Sequence, residues 1–319
     1  MRVLVIGSSR RWRIESCFAR ALGRSGHVVR LLDDRLLART VGRQTTQRFV
    51  RWRADRFRPD FVLFSKCLGL DLETVRHVVR DRDNAMWYSD AQWHTHVELR
   101  DDIRHIAAVA RQAATLWVPA FVDEWRALGY PARLLPFAGD RDIRPTTPDP
   151  SLVTDVAFTG TGYDPDRARF LIELARHVGV RVWGRGWEKW RKHLHWAGRP
   201  VEGADLARVC SSARLTLGIT AANAKGHPFY TDRMFIVMLA GGCYIGEGGP
   251  GAERMLADGE HCVWYDALDD CIAKAKRWLG DERGRARLRA AGERFVRAHH
   301  TYDERVPHFL TGAPYAPPL

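Results

Sequence analysis

The chain has 319 residues, 45% of them hydrophobic and 28% charged, which suits a soluble protein of two ordinary domains and excludes a largely disordered one. No apolar run approaches the ~18 residues of a membrane span, Val3–Ile6 opens the chain without a signal-peptide pattern, and no two of the six cysteines form a CxxC pair, so a cytoplasmic protein with neither a disulfide framework nor a zinc site is expected. The formal net charge is +12, and residues 1–58 hold nearly all of it: 15 arginines against Glu15, Asp33, Asp34 and Asp55, or +11.

In chain order, Val3 to Gly7 reads as a short apolar strand and Gly7-Ser8-Ser9-Arg10 as a tight turn. Apolar spacing at Ile14, Cys17, Phe18 and Leu22 predicts a helix, ended by Gly26. A second strand covers His27 to Leu32 and ends at Asp33-Asp34; a basic helix runs from Gln44 to Phe57 and Pro59 breaks it. Phe61–Phe64, Ala85–Tyr88, Thr115–Val118 and Arg133–Pro136 read as further strands, with helices over 72–79, 102–110 and 121–128 between them. Residues 1–140 therefore form a first α/β domain. The stretch 141–153 carries Pro145, Pro148 and Pro150 without an apolar period and reads as a linker. The alternation then restarts: strands at 154–158, 180–183, 215–219, 243–245 and 262–264, separated by helices, make a second domain over 154–302. Residues 303–319 form a tail that could return to the first domain. Strands alternating with helices predict two doubly wound parallel sheets. Ligands of such sheets bind outside the carboxyl ends of the strands, which makes the cleft between the domains the expected active site.

Several motifs fall at those ends. Gly7-Ser8-Ser9-Arg10 lacks the GxGxxG pattern, although Asp33 or Asp34 could serve as a ribose clamp, so a dinucleotide oxidoreductase stays open. Phosphate-loop, HExxH, GxSxG and kinase motifs are absent. Gly160, Thr161 and Gly162 lie between a strand and a helix, where backbone N–H groups could approach a diphosphate; a turn that simply needs glycine has the same signature. Gly184-Arg185-Gly186-Trp187 follows the next strand, with Arg185 suited to neutralise phosphate and Trp187 or Trp183 to stack on a base. Lys225, His227, Tyr230, Asp232 and Arg233 crowd a polar loop entering a helix, more than a cap requires. In the first half, Asp90 stands at a strand's carboxyl end as a candidate general base, followed by His94 and His96. The two histidines have no carboxylate or cysteine at matching spacing, so no metal is expected.

The second half then resembles a known group. Asp155-Val156-Ala157-Phe158-Thr159-Gly160, Val182-Trp183-Gly184-Arg185-Gly186-Trp187, Asp232-Arg233-Met234-Phe235 with Leu239-Ala240-Gly241-Gly242-Cys243, and His299-His300-Thr301-Tyr302 look like the CgeB-like glycosyltransferases. The resemblance is strong over residues 150–305 and looser before them. It implies the α/β GT-B architecture, two Rossmann-like doubly wound domains facing a central cleft. It also implies a nucleotide-sugar donor, UDP-sugar first among them, on the second domain, an acceptor on the first, and no obligatory metal. Related transferases place a ribose-binding Glu where this chain has Ile236; Asp232 and Glu247 are the candidate substitutes.

In this architecture the acceptor meets the basic first domain, and a polyanion would select such a surface. Phage DNA glucosyltransferases share the architecture and act on a 5-hydroxymethyl pyrimidine, which must leave the duplex stack. The resemblance thus implies phosphate contacts by Arg10, Arg11, Arg13, Arg43, Arg48, Arg51, Arg53 and Arg56, with Trp12 or Trp52 wedging or stacking. Asp90 with His94 would take the acceptor proton, and Arg185, Lys225 and Arg233 would hold the leaving diphosphate. A carbohydrate, lipid-linked or protein acceptor, and a non-catalytic nucleic-acid-binding protein of the same fold, are the alternatives.

Overall fold

A computed structural model describes residues 1–90, 101–220 and 226–319. The chain divides into two compact units: 1–137 with 302–316, and 138–301 with 317–319.

Unit 1 begins with β1 (Arg2–Ile6), whose Val3, Leu4, Val5 and Ile6 are buried. Helix α1 (Ile14–Arg24) buries Cys17, Phe18, Ala21 and Leu22, and β2 (Val28–Leu32) follows. The sequence reading lacks the next element, α2 (Asp34–Val41). The Asp33 side chain caps it by accepting from the Leu36 N–H at 2.9 Å. Leu36 and Val41 are exposed on α2, so the helix presents no buried apolar stripe to read. Gly42, at φ 81°, separates α2 from α3 (Arg43–Phe57), and Arg58 closes α3 in the left-handed region. β3 (Phe61–Phe64), α4 (Leu72–Val79), β4 (Asp83–Trp87), α5 (Asp101–Ala110), β5 (Leu116–Val118), α6 (Val122–Ala127) and β6 (Ala132–Leu134) complete the alternation. The sheet is parallel, in the order β2-β1-β3-β4-β5-β6.

Residues 302–316 belong to the same unit. A 3-10 turn at Tyr302–Arg305 leads into α13 (Val306–Thr311). Tyr302 and Phe309 pack edge-on against Phe18, at centroid distances of 4.7 and 4.6 Å. Arg305 is fully buried; its Nε and Nη2 donate to the carbonyls of Pro136 and Phe137, and its guanidinium lies over the Tyr315 ring.

Unit 2 holds β7 (Val156–Thr159), α7 (Pro165–Ala175), β8 (Val180–Trp183), β9 (His195–Trp196), α8 (Gly203–Ser212), β10 (Leu215–Gly218), α9 (Asp232–Leu239), β11 (Tyr244–Glu247), α10 (Ala252–Met255), β12 (Val263–Tyr265), α11 (Leu268–Gly280) and α12 (Glu282–His299). Its parallel sheet runs β12-β11-β10-β7-β8-β9, the doubly wound order whose switch point lies between β7 and β10. The proline-rich stretch before β7 is held down rather than free-running. Ser211 and Ser212 of α8 accept from the N–H groups of Thr146 and Asp149, and Arg297 donates to the carbonyls of Arg141 and Ile143. Such contacts use backbone groups and leave no apolar period in the sequence. Among the described residues no helix is long and apolar enough to cross a membrane.

Candidate functional site

The switch point of unit 2 gathers chemistry at the carboxyl ends of β7, β10 and β11. After β7 and β8 the chain makes two glycine turns that lock together. Gly160 N–H donates to the Trp183 carbonyl at 2.8 Å, and Gly162 N–H to the Arg185 carbonyl at 2.8 Å. A Cβ on Gly184, at φ 143°, would lie 1.8 Å from the Gly160 oxygen, so only glycine permits this approach. Three indoles staple the turns: Trp187 Nε1 donates to Gly160 O, Trp190 Nε1 to Gly162 O and Trp196 Nε1 to Gly184 O, at 2.8 to 3.1 Å.

This geometry corrects three expectations. Trp187 is fully buried against Phe158, and Trp183 is 2% exposed, so neither offers a face to a base. The N–H groups of Gly160 and Gly162 are spent inside the turns, leaving at most Thr161, which is exposed. The start of α7 is closed as well, because Asp164 accepts from the N–H groups of Asp166 and Arg167 and Pro165 has none to give. A ring that does face solvent is Tyr163, 63% exposed and lying against Gly186. Arg185 beside it is exposed.

The cationic centre of the site is a pair of arginines. Arg233, the second residue of α9, and Arg167, in the first turn of α7, both lean over the Phe158 ring, at 5.7 and 5.9 Å from its centroid. Neither forms a close ion pair with a carboxylate among the described residues, although the Asp164 charge pulls weakly on Arg167. Arg167 donates from Nη1 to the Thr161 carbonyl at 3.2 Å, and its Nε is buried without a hydrogen-bond partner. Burial, and then the Arg233 charge, hold the Arg167 pKa below its ordinary value. Two like charges kept together at partial burial are what an anion would relieve. Arg167 was not among the residues singled out from sequence, where it reads as one more solvated helix arginine.

Arg233 opens onto a concavity with about 320 Å³ of empty space, lined also by Gly218, Thr220, Tyr230, Glu247 and Trp264. Glu247, the last residue of β11, accepts from the Thr220 N–H at 3.1 Å through Oε2. Tyr230 is 8% exposed and its hydroxyl donates to the Pro250 carbonyl at 2.6 Å; burial pushes its pKa up to about 12. It therefore shapes the wall. Asp232 is half-buried at the start of α9, beside Arg233. Ile236, one turn further, is half-buried and offers no acceptor. Lys225 lies outside the described residues, as does His94.

In unit 1, Asp90 follows β4 at the sheet's carboxyl edge, 2.5 Å from the Lys66 ammonium, and its other oxygen accepts from Ser89 at 3.3 Å. Action as a base would require Lys66 to release it. Asp33 is likewise engaged. Burial opposes its ionisation, but donors from Ser9, Leu36 N–H and the nearby Arg10 outweigh it and hold the carboxyl below its usual range. It caps α2 and ties the first turn, and so is not a free ribose clamp. Of the arginines in this unit, Arg10, Arg11, Arg13, Arg48 and Arg56 are exposed and Arg53 is half-buried. Trp12 is half-buried between Arg11 and Arg20. Two arginines are committed to the fold. Arg51 bonds Thr74 and Glu73 on α4, and Arg43 donates to the Leu68 carbonyl. Among the described residues no three His, Cys, Asp or Glu side chains come together to hold a metal.

Residues 167–311 match a family described as glycosyl transferase-like. No protein of curated function matches the sequence. Solved structures share the fold. HepE of Anabaena, in complex with UDP, superposes with a TM-score of 0.63 over 98% of this chain and 100% of its own, at 11% identity. Sucrose-phosphate synthase from Thermosynechococcus elongatus gives 0.64 over 98% of each chain, at 11% identity. An alpha-glucosyltransferase in complex with UDP and a 13-mer DNA gives 0.64 over 98% and 100%, at 8% identity. The two doubly wound parallel sheets are those of the GT-B fold.

Proposed function

We propose that the protein is a nucleotide-sugar-dependent glycosyltransferase whose donor, a UDP-sugar, binds unit 2. The observation that carries this reading is the Arg167–Arg233 couple over Phe158 at the sheet's switch point, with no carboxylate among the described residues in a close ion pair with either, beside a concavity that ends at Glu247. The match of residues 167–311 to a glycosyl transferase-like family and the UDP found in fold neighbours support it. In this reading Arg167 and Arg233 neutralise the diphosphate as the glycosidic bond to it breaks, with Arg185 and Lys225 as further candidates for that role. Glu247 takes the ribose hydroxyls in place of the residue at Ile236. Tyr163, lying over Gly186, covers the base.

The acceptor we propose is a hydroxymethylated DNA base, as in a CgeB-like enzyme of phage type working in the cytoplasm. The support is the +11 carried by residues 1–58, the exposed arginines of unit 1, and the DNA bound by one fold neighbour at 8% identity. Asp90 is the base for the acceptor hydroxyl once Lys66 shifts.

The test incubates the protein with mixed UDP- and GDP-sugars and two duplexes, plain and 5-hydroxymethylcytosine-containing, followed by nucleoside mass spectrometry. A hexose or pentose mass gained only on the modified duplex supports both halves. Donor hydrolysis or donor-dependent thermal stabilisation without a mass gain keeps the transferase and removes the DNA acceptor. Absence of all three removes the transferase.

A further inference from the structure

Helix α3 carries an exposed face that neither the donor site nor the core uses. Its buried stripe is narrow, Thr46, Val50 and Ala54. On the opposite side Trp52 is 55% exposed and Phe49 36%, with ring centroids 5.8 Å apart and planes tilted by 37°. Around this aromatic pair stand Arg48 and Arg56, one turn either side of Trp52, and Arg53, one turn after Phe49. These three arginines have no partner among the described residues. The single acid of the helix, Asp55, is taken by His77 and Arg82 at 2.9 and 3.3 Å.

We propose that this face binds an unpaired nucleic-acid strand, its bases stacking on Phe49 and Trp52 and its phosphates meeting Arg48, Arg53 and Arg56. The inference rests on the polyanionic-acceptor half of the function proposed above and is independent of the donor half. Three clean cations around the rings call for a polyanion. Solvent-facing rings on a platform call for the flat faces of bases, which a duplex keeps stacked inside and a single strand exposes. A lipid surface is the other polyanion with an affinity for tryptophan. It would require the apolar side chains to share one side of the helix, with the basic ones on the other. Here the order around the helix is Arg48, Trp52, Arg56, Phe49, Arg53, so no apolar side is left to enter an acyl layer. A strand-binding face would hold the acceptor once its target base has left the stack.

The experiment measures fluorescence anisotropy of a labelled 15-nucleotide single strand, the same sequence as a duplex, and phosphatidylserine vesicles by co-sedimentation, over a salt series with the full chain. The single strand is expected to bind at least about ten-fold tighter than the duplex, with vesicles binding weakest. Trp52→Ala and Phe49→Ala are each expected to weaken the single strand by about 5- to 150-fold. The Arg48→Gln/Arg56→Gln double variant is expected to reduce the salt slope by about 1.4. Circular dichroism checks that these surface variants fold. Equal binding of duplex and single strand, or Trp52→Ala binding as the unmodified protein does, overturns the proposal. Vesicle binding lost in Trp52→Ala, with no strand binding, overturns it in favour of a membrane. A UDP-induced thermal shift of the unmodified protein, read in parallel, separates failure here from failure of the donor reading.

Discussion

Arg167→Met separates an anion site from a structural arginine. The two guanidinium carbons lie 5.9 and 5.7 Å from one ring centre, so they stand at most about 12 Å apart. At an effective dielectric constant of ~20, unit charges at that largest separation repel by about 1.4 kcal/mol before salt screening, the least this pair can repel. Methionine keeps much of the packing on Phe158, removes that repulsion, and removes the Nη1 bond to Thr161, a long contact from a charged donor worth about 1.5 kcal/mol. The terms oppose one another. The ligand-free Tm should therefore move by no more than about 4 °C in either direction, the shift of about 1 kcal/mol in a domain of this size. Affinity for UDP should drop by about 10- to 150-fold, the loss of one charge-assisted contact worth about 1.5 to 3 kcal/mol. Calorimetric titration with UDP and thermal unfolding of both proteins check this. A variant that loses more than about 2 kcal/mol of stability and still binds UDP as before would sink the assignment and make Arg167 a brace for the Thr161 turn.

Trp187→Phe should lower stability by about 1 to 3 kcal/mol, since it orphans the Gly160 carbonyl at a fully buried site; denaturant unfolding measures it. Glu247→Gln should weaken UDP and uridine binding alike by about ten-fold while leaving pyrophosphate competition unchanged; equal loss for all three ligands would refute a ribose role. His261 is 7% exposed, and burial lowers its pKa, against an opposing pull from Glu260 and with a smaller push from the His299 charge. The unfolded chain then binds more protons below pH ~6.5, so stability should fall as pH drops from 6.5 toward the folded value, and His261→Gln should flatten that slope in pH-dependent unfolding. All six cysteines are buried, and burial pushes the Cys210 and Cys271 thiols to about 12 and Cys243 to about 11. A disulfide reagent should therefore titrate none in the native protein and six after unfolding; fast labelling of any native thiol would contradict the burial.

The parallel sheets are legible in the sequence because short runs such as Val3–Ile6 and Phe61–Phe64 are apolar on both faces, the pattern of strands covered by helices on both sides. Gly184 is legible as a turn, but what the turn does is not. A tryptophan after it reads the same whether its ring meets a base or its indole N–H meets a carbonyl, and Trp187 does the second. Arg167 lay hidden for a related reason. Its meaning comes from Phe158 and Arg233, one nine residues away and the other sixty-six, and spacing along the chain carries no trace of that meeting. Arg51 failed in the opposite direction: as one of five similar arginines on α3, only its bonds to Thr74 and Glu73 set it apart.

The return of residues 302–316 to unit 1 has a consequence for synthesis. A ribosome delivers residues 1–137, then residues 138–301 of the other unit, and only then the segment whose Phe309 meets Phe18 and Trp117. At 5 to 20 residues per second the wait is roughly ten to thirty seconds. Through that interval the older half of the chain keeps an open apolar seam while the younger half can close on its own. Unit 1, begun first, thus stays incomplete until nearly all of unit 2 is made, and the seam is where a chaperone would find this chain during translation.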